Sequence, residues 1–219
     1  MLMHIPIWKK LLSWLVPVTI ARKSSGKHPA LFLKQYQGHL ILATPTAYYS
    51  YGNVYLPYRK IFKFIENDIP RVQDFLMLGT GLGSALKILQ TRYQCFPNAD
   101  LVEWDEEIIA WSMRTMSLNT RNNVTWIKDD AANFVQQTTH TYDLIALDLF
   151  RDTAIPEHFK SKPFYTACKN LLKENGILCI NIIPAYKQEE NDIQEMLHYT
   201  FSSINSLHFA KNVFLICRK

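Results

Sequence analysis

Residues 75–90 read FLMLGTGLGSALKILQ: an apolar run, three glycines at alternate positions (Gly79, Gly81, Gly83), then an apolar pattern at helical spacing. Strand, glycine turn and helix in that order let a backbone approach a nucleotide. Glycine takes φ > 0 freely, and the first turn of a helix presents unpaired N–H groups. A glycine triplet alone is a weak signal. Here the next strand pattern ends LVEWDEE, with Glu103 placed 24 residues beyond Gly79. An acid at that place can accept two hydrogen bonds from a ribose diol. Asp105 reads as the N-cap of the helix that follows.

Outward from this unit the chain alternates. The pattern predicts strands at 72–78, 99–103, 123–127, 142–148 and 176–183, with helices at 83–93, 106–117, 130–137, 161–173 and 188–203. A last pair of strands near 205–210 and 212–217 meets at Lys211-Asn212. Repeated βα units imply a parallel sheet covered by helices on both faces, here ending in an antiparallel hairpin. Upstream, Trp8, Leu11, Leu12, Leu15 and Val16 follow the spacing of a short amphipathic helix that Pro17 stops. Residues 21–29 (ARKSSGKHP) read as a loop, and Leu31–Gln35 with His39–Ala43 read as a β-hairpin. Five tyrosines follow within eleven residues (Tyr48, Tyr49, Tyr51, Tyr55, Tyr58), a composition suited to a pocket rim or a subunit contact. The expected organisation is an N-terminal helix with a small β extension over residues 1–65 and a Rossmann-like nucleoside-binding domain over 66–219.

With 219 residues, 48% hydrophobic and 20% charged, the chain fits one main globular domain. The helix pattern near residue 8 is interrupted by Lys9 and Lys10 and is too short to span a bilayer. Neither a transmembrane segment nor a signal peptide is read, so the expected location is cytoplasmic. Four scattered cysteines and seven histidines show no metal-ligand spacing, which argues against a zinc site. The net charge of +5 is uneven. Residues 1–60 hold eight Lys/Arg and no acid precedes Glu66, whereas the remaining 16 basic and 19 acidic residues leave −3. A basic front end can serve an anionic partner, a membrane surface or solubility, and solubility or a match to an acidic patch on a second subunit is the expected reading. A homodimer is expected, with the apolar stripe of the first helix packed on its own subunit or across the dimer and membrane contact as the alternative. No nucleic-acid partner is expected.

The segments LGTGLGSALKIL, LVEWDEEII, VTWIKDDAANF, YDLIALDLF and SKPFYTACKNLLKENGILCINI resemble, in order, the nucleoside-binding domain of the spermidine synthase family. GHLILATPTAYYSYGNVY is similar to that family's N-terminal strands and the tyrosine-bearing segment after them. The resemblance implies a class I methyltransferase-like Rossmann fold with a small N-terminal β-hairpin extension. It also implies a cofactor of the S-adenosylmethionine or decarboxylated S-adenosylmethionine type. Position by position, Gly79, Gly81 and Gly83 would line the methionine-derived moiety and Glu103 would hold the ribose. Asp130 matches the acid that meets the adenine amino group, with Ala131 following, and Asp148 matches the first acid of the family's D-S-S-D-P segment. Open α/β sheets bind ligands at the carboxyl ends of their strands, where all these residues fall. A helix-capping or turn role is the alternative for Asp148.

The departures bear on the reaction. Leu82 stands where a polyamine synthase keeps an acid in the glycine loop. Arg151 occupies the place of its catalytic acid, with Asp152 one residue on. A site that binds a polycation and deprotonates an ammonium needs carboxylates for both tasks. The expectation is therefore a transferase using an S-adenosylmethionine-type cofactor, with methyl transfer to a non-polyamine small-molecule acceptor ahead of two alternatives. These are true aminopropyl transfer, with Asp148 and Asp152 as catalytic acids, and a non-catalytic nucleoside-binding protein. Tyr48, Tyr49, Tyr51 and Arg151 are the expected acceptor pocket, suited to an anionic or neutral molecule.

Overall fold

A computed structural model describes residues 5–116, 123–151 and 154–219. Its larger sheet has seven strands: β5 (Asp74–Leu78), β6 (Asn98–Glu103), β7 (Val124–Lys128), β8 (Tyr142–Leu147), β9 (Leu172–Ile182), β10 (Ser203–Phe209) and β11 (Asn212–Arg218). They lie in the order β10-β11-β9-β8-β5-β6-β7, parallel from β9 to β7 and antiparallel at β11 and β10. The fold is thus α/β, mostly parallel and closed by an antiparallel hairpin, as the alternating pattern predicts.

Side-chain alternation along the strands divides the core into two layers. On one face, Leu76, Leu78, Ile145 and Leu147 pack with Phe164, Tyr165 and Cys168 of α6 (Lys162–Asn170) and with Ile193 and Leu197 of α7 (Lys187–His198). On the other, Phe75, Met77, Leu144 and Ala146 pack with α3 (Ser84–Tyr93) and with Tyr58, Ile61 and Phe62 of α2 (Leu56–Phe64). The spacing 58, 61, 62 is a helical stripe, and Pro57 in the first turn suits a helix start. The sequence reading passed over α2 because the tyrosines drew the stretch into a rim.

A second, four-stranded antiparallel sheet is built from β1 (Val18–Lys23), β2 (Leu31–Tyr36), β3 (His39–Ala43) and β4 (Tyr48–Ser50). The predicted hairpin is its middle pair. β1 corrects the reading of residues 21–29 as loop throughout. Its side chains lack a clean alternation because it is an edge strand held by backbone pairing, from Val18 opposite Gln35 to Lys23 opposite Leu31. The apolar joint between this sheet and the main body is a cluster in which Leu31, Leu33 and Leu42 meet Leu82 and Ile108 and Trp111 of α4 (Glu106–Thr115). The remaining helices are α1 (Ile7–Leu12), which ends earlier than the apolar spacing predicts, and α5 (Ala131–Gln137). The small sheet therefore hangs over the carboxyl ends of β5 and β6.

Candidate functional site

The sheet's order reverses between β5 and β8, so their carboxyl ends open a crevice into which no connecting helix runs. Gly79 follows β5 and Asp148 follows β8. Gly79 has φ +84°, and a Cβ there would collide with the backbone carbonyl of Asp148, so only glycine lets the two strand ends approach this closely. Gly81 (φ +51°) turns its amide onto the Glu103 carboxylate at 3.2 Å. Gly83 (φ +71°) starts α3 and packs against the Met116 side chain rather than lining the crevice.

The crevice is a cavity of about 560 Å³. Of the residues expected in the site, Gly79, Gly81, Glu103, Asp130, Ala131, Asp148, Tyr48, Tyr49 and Arg151 line it. Tyr51 does not. Its ring packs with Tyr36 and His39 on the small sheet. Asp152 lies outside the described residues. Leu82, where an acid was sought, is buried in the cluster that joins the two sheets, so its side chain serves packing.

Glu103 is buried, and its carboxylate accepts three backbone N–H bonds: Trp104 at 3.0 Å and Asp105 at 3.2 Å on Oε1, Gly81 at 3.2 Å on Oε2. Burial pushes its pKa up to about 7 against the pull of those bonds. Each carboxylate oxygen has two acceptor sites, so Oε2 keeps one for a hydroxyl in the cavity. That spare acceptor is the feature a ribose-bearing cofactor needs. The donor and acceptor set fits such a group.

Asp105 does cap α4, accepting from the Glu107 N–H at 2.9 Å. It also holds His28, whose Nδ1 lies 2.8 Å from Asp105 Oδ2 while Nε2 lies 3.4 Å from the Tyr49 hydroxyl. Burial would raise the Asp105 pKa, but His28, Ser25 and the Glu107 amide outweigh it and hold the carboxyl below its usual value. His28 comes from the connection between β1 and β2 and Tyr49 from β4, while Asp105 starts α4, and both His28 and Tyr49 line the cavity. Asp130 uses Oδ1 to cap α5 through the Ala132 N–H at 2.8 Å, and its Oδ2 lies 3.6 Å from His158 Nε2.

Asp148 lines the cavity, and its carboxylate is held by residues of the fold. Asn181 donates to its Oδ1 at 2.8 Å and is itself held by Asn212 at 2.8 Å. The fully buried Tyr58 hydroxyl lies against Asp148 and steadies its charged form, although its geometry falls short of a regular hydrogen bond. Burial dominates and pushes the Asp148 pKa up to about 7. A cavity-lining acid whose pKa lies near neutrality, held by two amides in series, is equipped to take a proton. Arg151, by contrast, is exposed and pairs through its backbone with Ala154.

Sequence reasoning did not single out His28, Tyr58 as a partner of Asp148, Asn181, His158 or Lys211. His28 sat in a stretch read as loop, and no local pattern links it to an acid 77 residues away. Asn181 and Lys211 had a signal, since both lie at the cavity end of predicted strands or their turn, but asparagine and lysine there carry no motif of their own.

A family model described as the Spermine/spermidine synthase domain matches residues 58–216. A curated polyamine aminopropyltransferase 2 of Aquifex aeolicus (strain VF5) is 32% identical over 162 residues, a stretch covering 69% of this chain and 30% of that protein. Matches of this chain span from 30% to 50% of the lengths of such curated relatives. Among solved structures, a spermidine synthase in complex with the transition-state analogue AdoDATO superposes with a TM-score of 0.73 at 16% identity, covering 92% of this chain and 74% of that one. Human methyltransferase-like protein 13 in complex with SAH gives 0.61 at 16% identity, covering 74% and 78%. These two likenesses establish the fold. The family match runs from α2 through β11 and takes in the glycine turn, Glu103, Asp130 and Asp148, and by it the chain belongs to the spermine/spermidine synthase family.

Proposed function

We propose that the protein is an aminopropyltransferase that uses decarboxylated S-adenosylmethionine and a small primary amine. The observation that carries the reading is Asp148, which lines the cavity and whose carboxyl, held by Asn181 beside Tyr58, has its pKa pushed up to about 7 by burial. Methyl transfer to an already activated nucleophile has no use for such a base. An amine acceptor does, because it reacts only once it has lost a proton. The names of the curated relatives also favour aminopropyl over methyl transfer.

When bound, the cofactor supplies an electrophilic carbon beside a sulfonium and leaves as a neutral thioether. Glu103 anchors the ribose through its spare acceptor, and the Gly79–Gly81 turn brings backbone close to the methionine-derived end. Asp148 takes the proton that the attacking nitrogen gives up as the new C–N bond forms, while the chain Asn212→Asn181→Asp148 fixes which oxygen faces that nitrogen. Tyr48 and Tyr49 wall the same cavity from the small sheet. With Leu82 turned into the core and Arg151 at the rim, few carboxylates remain for a long polycation, so a short diamine suits the acceptor end best.

The test is incubation of the protein with decarboxylated S-adenosylmethionine and putrescine, spermidine or no amine, with methylthioadenosine measured. Amine-dependent release that Asp148→Asn abolishes supports the reading. Release of S-adenosylhomocysteine from S-adenosylmethionine, or nucleoside binding without turnover of either cofactor, overturns it.

A further inference from the structure

The first helix leaves its apolar side chains uncovered. No residue of α1 is buried, and Ile7, Trp8, Leu11, Trp14 and Leu15 are each at least 60% exposed. Packing on the same subunit, one of the coverings the amphipathic spacing suggests, is thus not found among the described residues. The ridge is nonetheless held in place. The Gln37 N–H donates to Ser13 O at 2.8 Å, the Ser13 hydroxyl to Lys10 O at 2.7 Å, and Lys9 Nζ to Thr19 O at 3.1 Å. It is an apolar edge fixed on the small sheet.

We propose that this ridge docks the protein onto an anionic lipid surface. Charge is the first argument. The whole stretch from residue 1 to 65 contains no acid, and its bases include Lys9 and Lys10 within the ridge and Arg22 and Lys34 on β1 and β2. Anionic headgroups attract such a surface while the apolar side chains enter the acyl boundary, and tryptophan beside lysine suits that depth. A second copy meets the ridge poorly. A two-fold contact on the ridge brings in a second Lys9 and Lys10 and no carboxylate from residues 1–65 of either copy. Elsewhere the exposed large apolar side chains among the described residues lie on separate elements, such as Phe64 on α2, Met113 on α4 and Tyr199 after α7. No helix among the described residues is long and apolar enough to cross a membrane, so the contact lies in the interface plane.

Flotation of the full chain with phosphatidylcholine vesicles, with and without phosphatidylglycerol, tests the proposal. Binding should require phosphatidylglycerol, weaken about tenfold or more when salt is raised, and disappear in Trp8→Glu/Leu11→Glu. Lys10→Glu should weaken it without altering the circular dichroism spectrum, which separates docking from misfolding. Absence of binding to phosphatidylglycerol vesicles at low salt overturns the proposal. So does a concentration-dependent dimer, seen by sedimentation equilibrium, that Trp8→Glu/Leu11→Glu dissociates.

Discussion

In the proposed reaction two carboxylates, Glu103 and Asp148, carry the chemistry, and each makes a separate prediction. Glu103→Ala removes a charge-assisted acceptor for hydroxyls, worth about 1.5–3 kcal/mol per bond. Calorimetry with methylthioadenosine should show affinity reduced at least about tenfold with the fold intact, and unchanged affinity would remove the ribose assignment. Because the Glu103 pKa stands at about 7, the wild-type affinity should also fall as pH drops from 8 to 6, as protonation takes away an acceptor. Asp148→Asn should lower kcat by about 10²–10⁴-fold, the usual range for a positioned base. Wild type should show an acid limb near pH 7 and this variant should lack it, since a base works only when unprotonated. Both acids were legible as strand-end residues from period and spacing. Their shifted titration was not, because it comes from enclosure by segments far apart in sequence, with Tyr58 arriving from α2 and Asn181 from β9. His28 was illegible for the same reason.

At the level of elements, the glycine turn separates backbone need from side-chain packing. Gly79→Ala adds a Cβ into the Asp148 carbonyl in a left-handed conformation, and should destabilise by about 2–4 kcal/mol from clash and strain together. Gly83→Ala meets only the flexible end of Met116 and should cost about 1–2 kcal/mol, mostly backbone strain. Urea denaturation orders the two, and equal losses would contradict the packing described around them. The βα alternation was readable because each parallel strand is a short apolar run bounded by polar turns. β1 and β4 were not, since edge strands owe their form to partners, as Val18 does to Gln35. β9 begins at Leu172, earlier than expected, because Asn175 (φ +61°) lets the chain kink within the strand and pairing resume.

For the molecule as a whole, the two buried acids set a slope in stability. Their folded pKa values lie above the ordinary carboxylate range, so the native state keeps protons that the unfolded chain releases between about pH 4 and pH 7. Stability from these groups is full at the acid end of that window, falls as pH rises through it, and levels off above 7. Asp68, held below its ordinary value by Arg218, and Asp74, where the hydrogen bonds and charge of Lys173 outweigh burial, act oppositely. They lose their contribution as pH falls below about 4. Thermal melts across pH should show Glu103→Gln/Asp148→Asn more stable than wild type at pH 8, with the gap closing toward pH 4.

The cavity is covered by the small sheet and its connections, with His28 from the β1–β2 connection and Tyr49 of β4 on one side and Glu103 and Trp104 on the other. Any molecule seated there touches both sheets and is paid for in linkage, because it binds only the state in which they are joined. Saturating nucleoside should therefore slow amide hydrogen exchange in β2 and β3, whose Leu31, Leu33 and Leu42 form the seam, as well as at the glycine turn. Ligand release then reports the stability of the seam formed by Leu31, Leu82 and Trp111, so loosening Trp111 should quicken product departure without any change to a group that touches it.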